Sequence, residues 1–149
     1  MHHRLIVLCS ANRKGAQPAP ALHLYRSPLF YAGRTWALRR EPDRVLILSA
    51  TYGVVEATQE LPPYPMTMSA MADTDLEPWA ESVVELMQPY LRRPPTEIIL
   101  LALDRFAVPL LRRMPPTRAP LAGMTFPEAL AWLRRENKRE AAEGISDLV

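Results

Sequence analysis

The residues of this chain that could do chemistry cluster where its apolar runs end. "LIVLCSANRKG", residues 5–15, passes from four aliphatic residues into Cys9, Ser10, Asn12, Arg13 and Lys14. "VLILSATYG", residues 45–53, passes into Ser49, Thr51, Tyr52 and Gly53, and "ILLALDR", residues 99–105, into Asp104 and Arg105. Ser10 to Gly15 is polar, cationic and ends in glycine, a combination that can wrap an anion or a sugar-phosphate with backbone N–H groups and the Lys14 ammonium. Tyr52 and Tyr64 offer rings that stack on a base and hydroxyls that hydrogen-bond its edge. Asp104 has two readings, a catalytic carboxylate or the N-cap of a following helix. Glu60, just before a proline run, reaches the same region if its loop folds back.

Several familiar chemistries lack their residues. The spacing G-x-x-x-x-G-K-[ST] is absent, as is G-x-G-x-x-G, and five glycines serve the whole chain, which disfavours nucleoside triphosphate hydrolysis. A Ser-His-Asp triad would have to use His23, since the other histidines are His2 and His3, and no G-x-S-x-G elbow accompanies it. There is no H-E-x-x-H and no carboxylate cluster at ligand spacing, so neither a metal nor another cofactor is expected. The single Cys9 forms no intrachain disulfide. It ends an apolar run, where cysteine behaves as a small buried hydrophobe rather than a reactive thiolate. A reducing cytoplasm is the expected compartment.

The elements that must position these residues follow from the apolar pattern. Arg4–Cys9, Val45–Ser49 and residues 96–103 are short, continuously apolar runs of strand length. Helices are expected over Pro28–Arg40, with proline in the opening turn, over Leu76–Arg92, and briefly after Asp104. Thr117–Leu121 is a candidate fourth strand. Thr125 with Glu128 forms a capping box for a last helix over Phe126–Glu143, with fraying after Gly144. Residues 10–28 and Ala50–Thr74 read as long loops, and loops of that length in compact domains tend to carry function.

Unbroken apolar strands alternating with helices predict an α/β domain spanning the whole chain: a short, mostly parallel sheet of three to four strands in three layers. Ligands of such sheets bind beyond the carboxyl ends of the strands, which would bring Ser10, Lys14, Ser49, Tyr52, Gly53 and Tyr64 to one edge. The 149 residues and 48% hydrophobic content suffice for one core, and no run approaches the roughly 18 apolar residues of a membrane span. Net charge is +2, with Lys14 and Lys138 the only lysines among the basic residues. The arginines come in clusters, of which Arg134, Arg135, Lys138 and Arg139 are the densest. Each cluster alone reads as a solvated face; together they make an anionic partner plausible.

The stretch "LSATYGVVEATQELPPYPMTM", residues 48–68, resembles the peroxide-stress protein YaaA family, in which an apolar strand runs into Leu-Ser-x-x-Tyr-Gly-Val and then Pro-Tyr. The matching positions are Leu48, Ser49, Tyr52, Gly53 and Val54, then Pro63, Tyr64, Met66 and Met68. The front half is similar to small bacterial and phage proteins that share this middle motif, through Cys9, Ser10, Lys14, Pro18, Ala19, Leu24, Tyr25, Ser27, Leu29 and Phe30. A comparable arrangement occurs in a domain of archaeosine-synthesis enzymes that looks like the uracil-DNA glycosylase fold. The chain is shorter than YaaA and lacks its additional helical regions. The resemblance implies a nucleic-acid setting. The expected function is binding of a nucleobase, nucleotide or nucleic acid at the sheet edge, with Asp104 serving an N-glycosidic step if there is one. The alternative is a non-catalytic DNA-binding stress protein that holds phosphates with Arg134, Arg135, Lys138 and Arg139.

Overall fold

A computed structural model describes residues 3–10, 14–65 and 67–147. In chain order its elements are β1 (Arg4–Cys9), β2 (Ala19–Pro20), α1 (Ala21–Leu24), α2 (Pro28–Arg39), β3 (Arg44–Ser49), β4 (Gly53–Glu56) and β5 (Glu60–Leu61). After two 3-10 turns, Met68–Ala70 and Asp73–Asp75, come α3 (Leu76–Leu91), β6 (Glu97–Leu101), α4 (Asp104–Leu111) and α5 (Phe126–Asp147). The main sheet has the order β4-β3-β1-β6, with β1 parallel to both β3 and β6 and β4 antiparallel to β3. The expected α/β class and mostly parallel sheet are therefore present.

Alternation along each strand builds two cores. Ile6 and Leu8, with Ile47, Ile99 and Leu101, pack beneath α1, α2 and α5 around Phe30, Trp36 and Leu133. Leu5 and Val7, with Leu46, Leu48, Ile98 and Leu100, pack beneath α3 and α4 around Trp79, Val83, Met87 and Leu110. Both faces of a strand are covered, which is why these runs carry no polar alternation. The connection through α2 leads to one side of β1 and the connection through α3 returns to the other. Right-handed crossovers in opposite directions place their helices on opposite faces.

Four expectations are corrected. The fourth strand is β4, not Thr117–Leu121: that segment makes a single parallel bridge, Arg118 to Ile99, with the Arg118 N–H on the Ile98 carbonyl at 2.9 Å. "GVVE" falls within the expected loop over Ala50–Thr74, being short and following its partner after three residues. The supposed loops also carry β2 and β5, which pair antiparallel and tie residues 19–20 to 60–61. Asp104 is the first residue of α4 rather than its N-cap; Leu103 holds that position with no side-chain cap. Finally, α5 continues through Gly144 to Asp147. The capping box at its start is present as expected, the Glu128 carboxylate accepting from Thr125 N–H at 3.0 Å and Thr125 Oγ1 from Glu128 N–H at 3.3 Å.

Candidate functional site

Parallel pairing of β1 with β3 and β6 brings the carboxyl ends of all three strands to one edge, and their following residues with them. The strand order reverses at β1, so the crevice beyond its carboxyl end is the topological switch point where open α/β sheets take their ligands. Two arrangements occupy this edge.

The first is a buried hydroxyl chain on the β3 side. Ser49 is fully buried, and its Oγ accepts the N–H groups of Thr51 at 3.2 Å and Tyr52 at 3.0 Å, closing the turn into β4. The Trp79 indole donates to the Ser49 carbonyl at 3.0 Å. The Tyr64 hydroxyl lies 2.9 Å from Ser49 Oγ and 2.5 Å from the hydroxyl of Tyr25, itself wholly buried. Burial, then the hydrogen bond with Tyr64, raises the Tyr25 pKa above the ordinary phenol range. The ring of Tyr64 meets Tyr52 edge-on at 5.3 Å and carries Lys14 Nζ at 4.1 Å from its centroid. Desolvation lowers the Lys14 pKa, while the ring quadrupole favours its charged form. Gly53, at φ +77°, completes the hairpin in the left-handed region that suits glycine.

The second is a cavity of about 420 Å³ at the ends of β1 and β6. Leu8, Cys9, Leu101 and Ala102 form its floor, Phe30, Phe106 and Phe126 supply aromatic walls, and Ser10, Ser27 and Ser69 supply hydroxyls. Burial pushes the Cys9 thiol up to about 12, so it stays protonated at neutral pH. Among the described residues, no side chain on the walls carries a charge. The volume falls within the range of small-molecule pockets, which are largely apolar with a few polar groups that fix orientation.

Of the residues expected to bind a ligand, only Ser10 lines this cavity. Ser49 and Gly53 are buried parts of the β3–β4 turn, and Lys14, Tyr64 and Tyr52 gather beside that turn. Asn12, Arg13 and Met66 lie outside the described residues. Asp104 is exposed, and its carboxylate accepts the Gly123 N–H at 3.1 and 3.2 Å. On α5, Arg134, Arg135, Lys138 and Arg139 are all exposed, but Arg139 is paired with Glu136 at 3.1 Å and Glu143 at 2.8 Å. Sequence reasoning missed the aromatic walls. Phe30, Phe106 and Phe126 each fall in the first turn of a helix at the strand-end edge, a placement that the element pattern carries.

Among the described residues no group of three or more His, Cys, Asp or Glu could hold a metal ion, and no helix is long and apolar enough to cross a membrane. A family model, DUF6884, described as a family of unknown function, matches residues 5–135. No curated protein and no solved structure matches the chain.

Proposed function

The chain belongs to the DUF6884 family, and from the geometry of its sheet edge we propose that it binds a nucleobase in the cavity at the carboxyl ends of β1 and β6. The observation that carries this reading is the cavity itself: about 420 Å³, walled by three phenylalanines, with serine hydroxyls as its side-chain polar groups. Flat rings stack on aromatic side chains, and a hydroxyl both donates and accepts, so it matches the mixed edge of a base. The resemblance of residues 48–68 to YaaA-like proteins, and of the front half to their smaller relatives, supports the same setting. The reading is one of binding. Among the described residues, the walls offer no carboxylate or imidazole as acid or base, and the Asp104 carboxylate is engaged by Gly123.

The alternative, phosphate binding by α5, has less support. Arg139 is committed to acidic neighbours on its own helix, and exposed helix charges usually mark solvated faces. Amide NMR spectra of the full chain, titrated with nucleosides, test both. Shifts are expected at Ser10, Ser27, Gly33 and Phe126. Shifts confined to Arg134, Arg135 and Lys138 with an oligonucleotide, abolished by Arg134→Ala with Arg135→Ala, would transfer the function to α5.

A further inference from the structure

Gly33 stands in the middle of α2 and lines the cavity. A glycine in a helix interior is less favourable than an alanine, because its unfolded backbone has more freedom to lose. Two structural demands ordinarily keep a glycine in place: a positive φ, or a neighbour too close for a side chain. The first holds Gly53 and Gly123, at φ +77° and +76°. The second is approached at Gly15, where a Cβ would stand 3.3 Å from Arg26 Nε.

Neither demand applies to Gly33. Its backbone is helical. Outside its own helix and among the described residues, a Cβ built there would meet Leu101 Cδ1 at 3.8 Å and Leu8 Cδ2 at 3.9 Å, ordinary van der Waals distances. The same helix uses alanine at its other small buried positions, Ala32 and Ala37. An alanine at position 33 would suit both the helix and its packing on the sheet. The two neighbours of the absent Cβ, Leu8 and Leu101, belong to the cavity floor, so the position faces the cavity and leaves the backbone of α2 bare on its wall. Where sequence and local preference disagree and packing does not account for it, the residue marks a functional site. Close approach of a ligand to the backbone is one of the uses of glycine.

Resting on the nucleobase reading above, we propose that Gly33 is a ligand-contact residue that sets the size of ring the cavity accepts, the bound base lying against the bare backbone of α2 at this point. A methyl group there takes space from the ring while leaving the three phenylalanines and the serines in place. The helix gives up stability to leave that room.

Isothermal titration with uridine, thymidine, adenosine and guanosine, together with thermal melts, tests the proposal on the full chain, on Gly33→Ala and on Thr35→Ala. Thr35 lies two residues further along α2, is exposed and does not line this cavity, so its replacement raises helix propensity away from the ligand. The native chain should bind at least one nucleoside. Gly33→Ala should melt about 2–4 °C higher than the native chain and bind that nucleoside at least about tenfold more weakly. Adenosine and guanosine should lose more than uridine and thymidine where both classes bind. Thr35→Ala should bind as the native chain does. An affinity loss below about tenfold in Gly33→Ala, or the reverse order of loss between the two classes, would overturn this proposal and leave the nucleobase reading standing. So would a lower melting temperature for Gly33→Ala, since the fold itself would then need the glycine, or an equal loss of affinity in Thr35→Ala, which would assign the effect to the helix. Binding of none of these nucleosides by the native chain would overturn both.

Discussion

Replacing Tyr64 by phenylalanine isolates one oxygen atom. The ring that carries Lys14 and meets Tyr52 remains, while the hydroxyl that joins Tyr25 to Ser49 is removed. Tyr25 is 0% exposed, so its hydroxyl loses this partner where water cannot replace it. An orphaned buried hydroxyl costs about 1–3 kcal/mol and a lost hydrogen bond about 1 kcal/mol, so Tyr64→Phe should destabilise the fold by about 2–4 kcal/mol. For a chain of this length that is roughly 5–15 °C in Tm. Tyr25→Phe removes the same bond from its other end but leaves the Tyr64 hydroxyl on Ser49, and should cost only about 1 kcal/mol. In the double variant no hydroxyl of Tyr25 is left to orphan. The two losses should therefore be less than additive, with a coupling of about 1–2 kcal/mol in urea unfolding followed by circular dichroism. Strict additivity, or a Tyr64→Phe no more costly than Tyr25→Phe, would refute the hydroxyl chain as the device that pins the residues around Tyr64 to the end of β3.

Two further perturbations probe the same edge. Gly53→Ala places a Cβ 2.9 Å from Leu86 Cδ1 at φ +77°; Leu86 is 49% exposed and can turn away, so the backbone conformation should dominate at about 1–2 kcal/mol. Adding Leu86→Ala should then give no rescue in thermal melts. Burial lifts the Cys9 thiol from its ordinary 9.0 to about 12. The folded state thus favours the protonated form, and this contribution to stability is intact below about pH 9 and lost as pH rises from 9 toward 12. Unfolding titrations of Cys9→Ala should show a flatter decline in that window, and native Cys9 should resist thiol reagents at pH 8.

The sheet was legible because its three parallel strands need apolar residues on both faces, and runs such as Leu5 to Leu8 have no other use at that length. The pieces that escaped are those held by distant partners. Ala19–Pro20 has no strand signature of its own and is extended because Glu60–Leu61 lies alongside it. Thr117–Leu121 has strand composition, yet only Arg118 reaches the edge of β6. Tertiary context decides such short segments, since two or three residues carry too little propensity of their own.

The site shows the same division more sharply. Ser49, Tyr52, Gly53 and Tyr64 look like a binding motif because polar residues at a strand end are uncommon, but their spacing is also what a hairpin turn requires. Ser49 must accept the amides of Thr51 and Tyr52, Gly53 must take a positive φ, and Tyr64 must satisfy Tyr25. The hydroxyls of Ser49 and Tyr64 answer other groups inside the chain, and a group so answered has little left to offer a ligand. The cavity next to it has the opposite signature: its walls are apolar residues that any core could contain, and only the fold reveals that Phe30, Phe106 and Phe126 surround a space of about 420 Å³. Two of the helix starts around that space, those of α2 and α5, are capped from within the chain. A ligand therefore has to be recognised by shape, stacking and a few hydroxyls. That is the physical reason for expecting selectivity among flat rings.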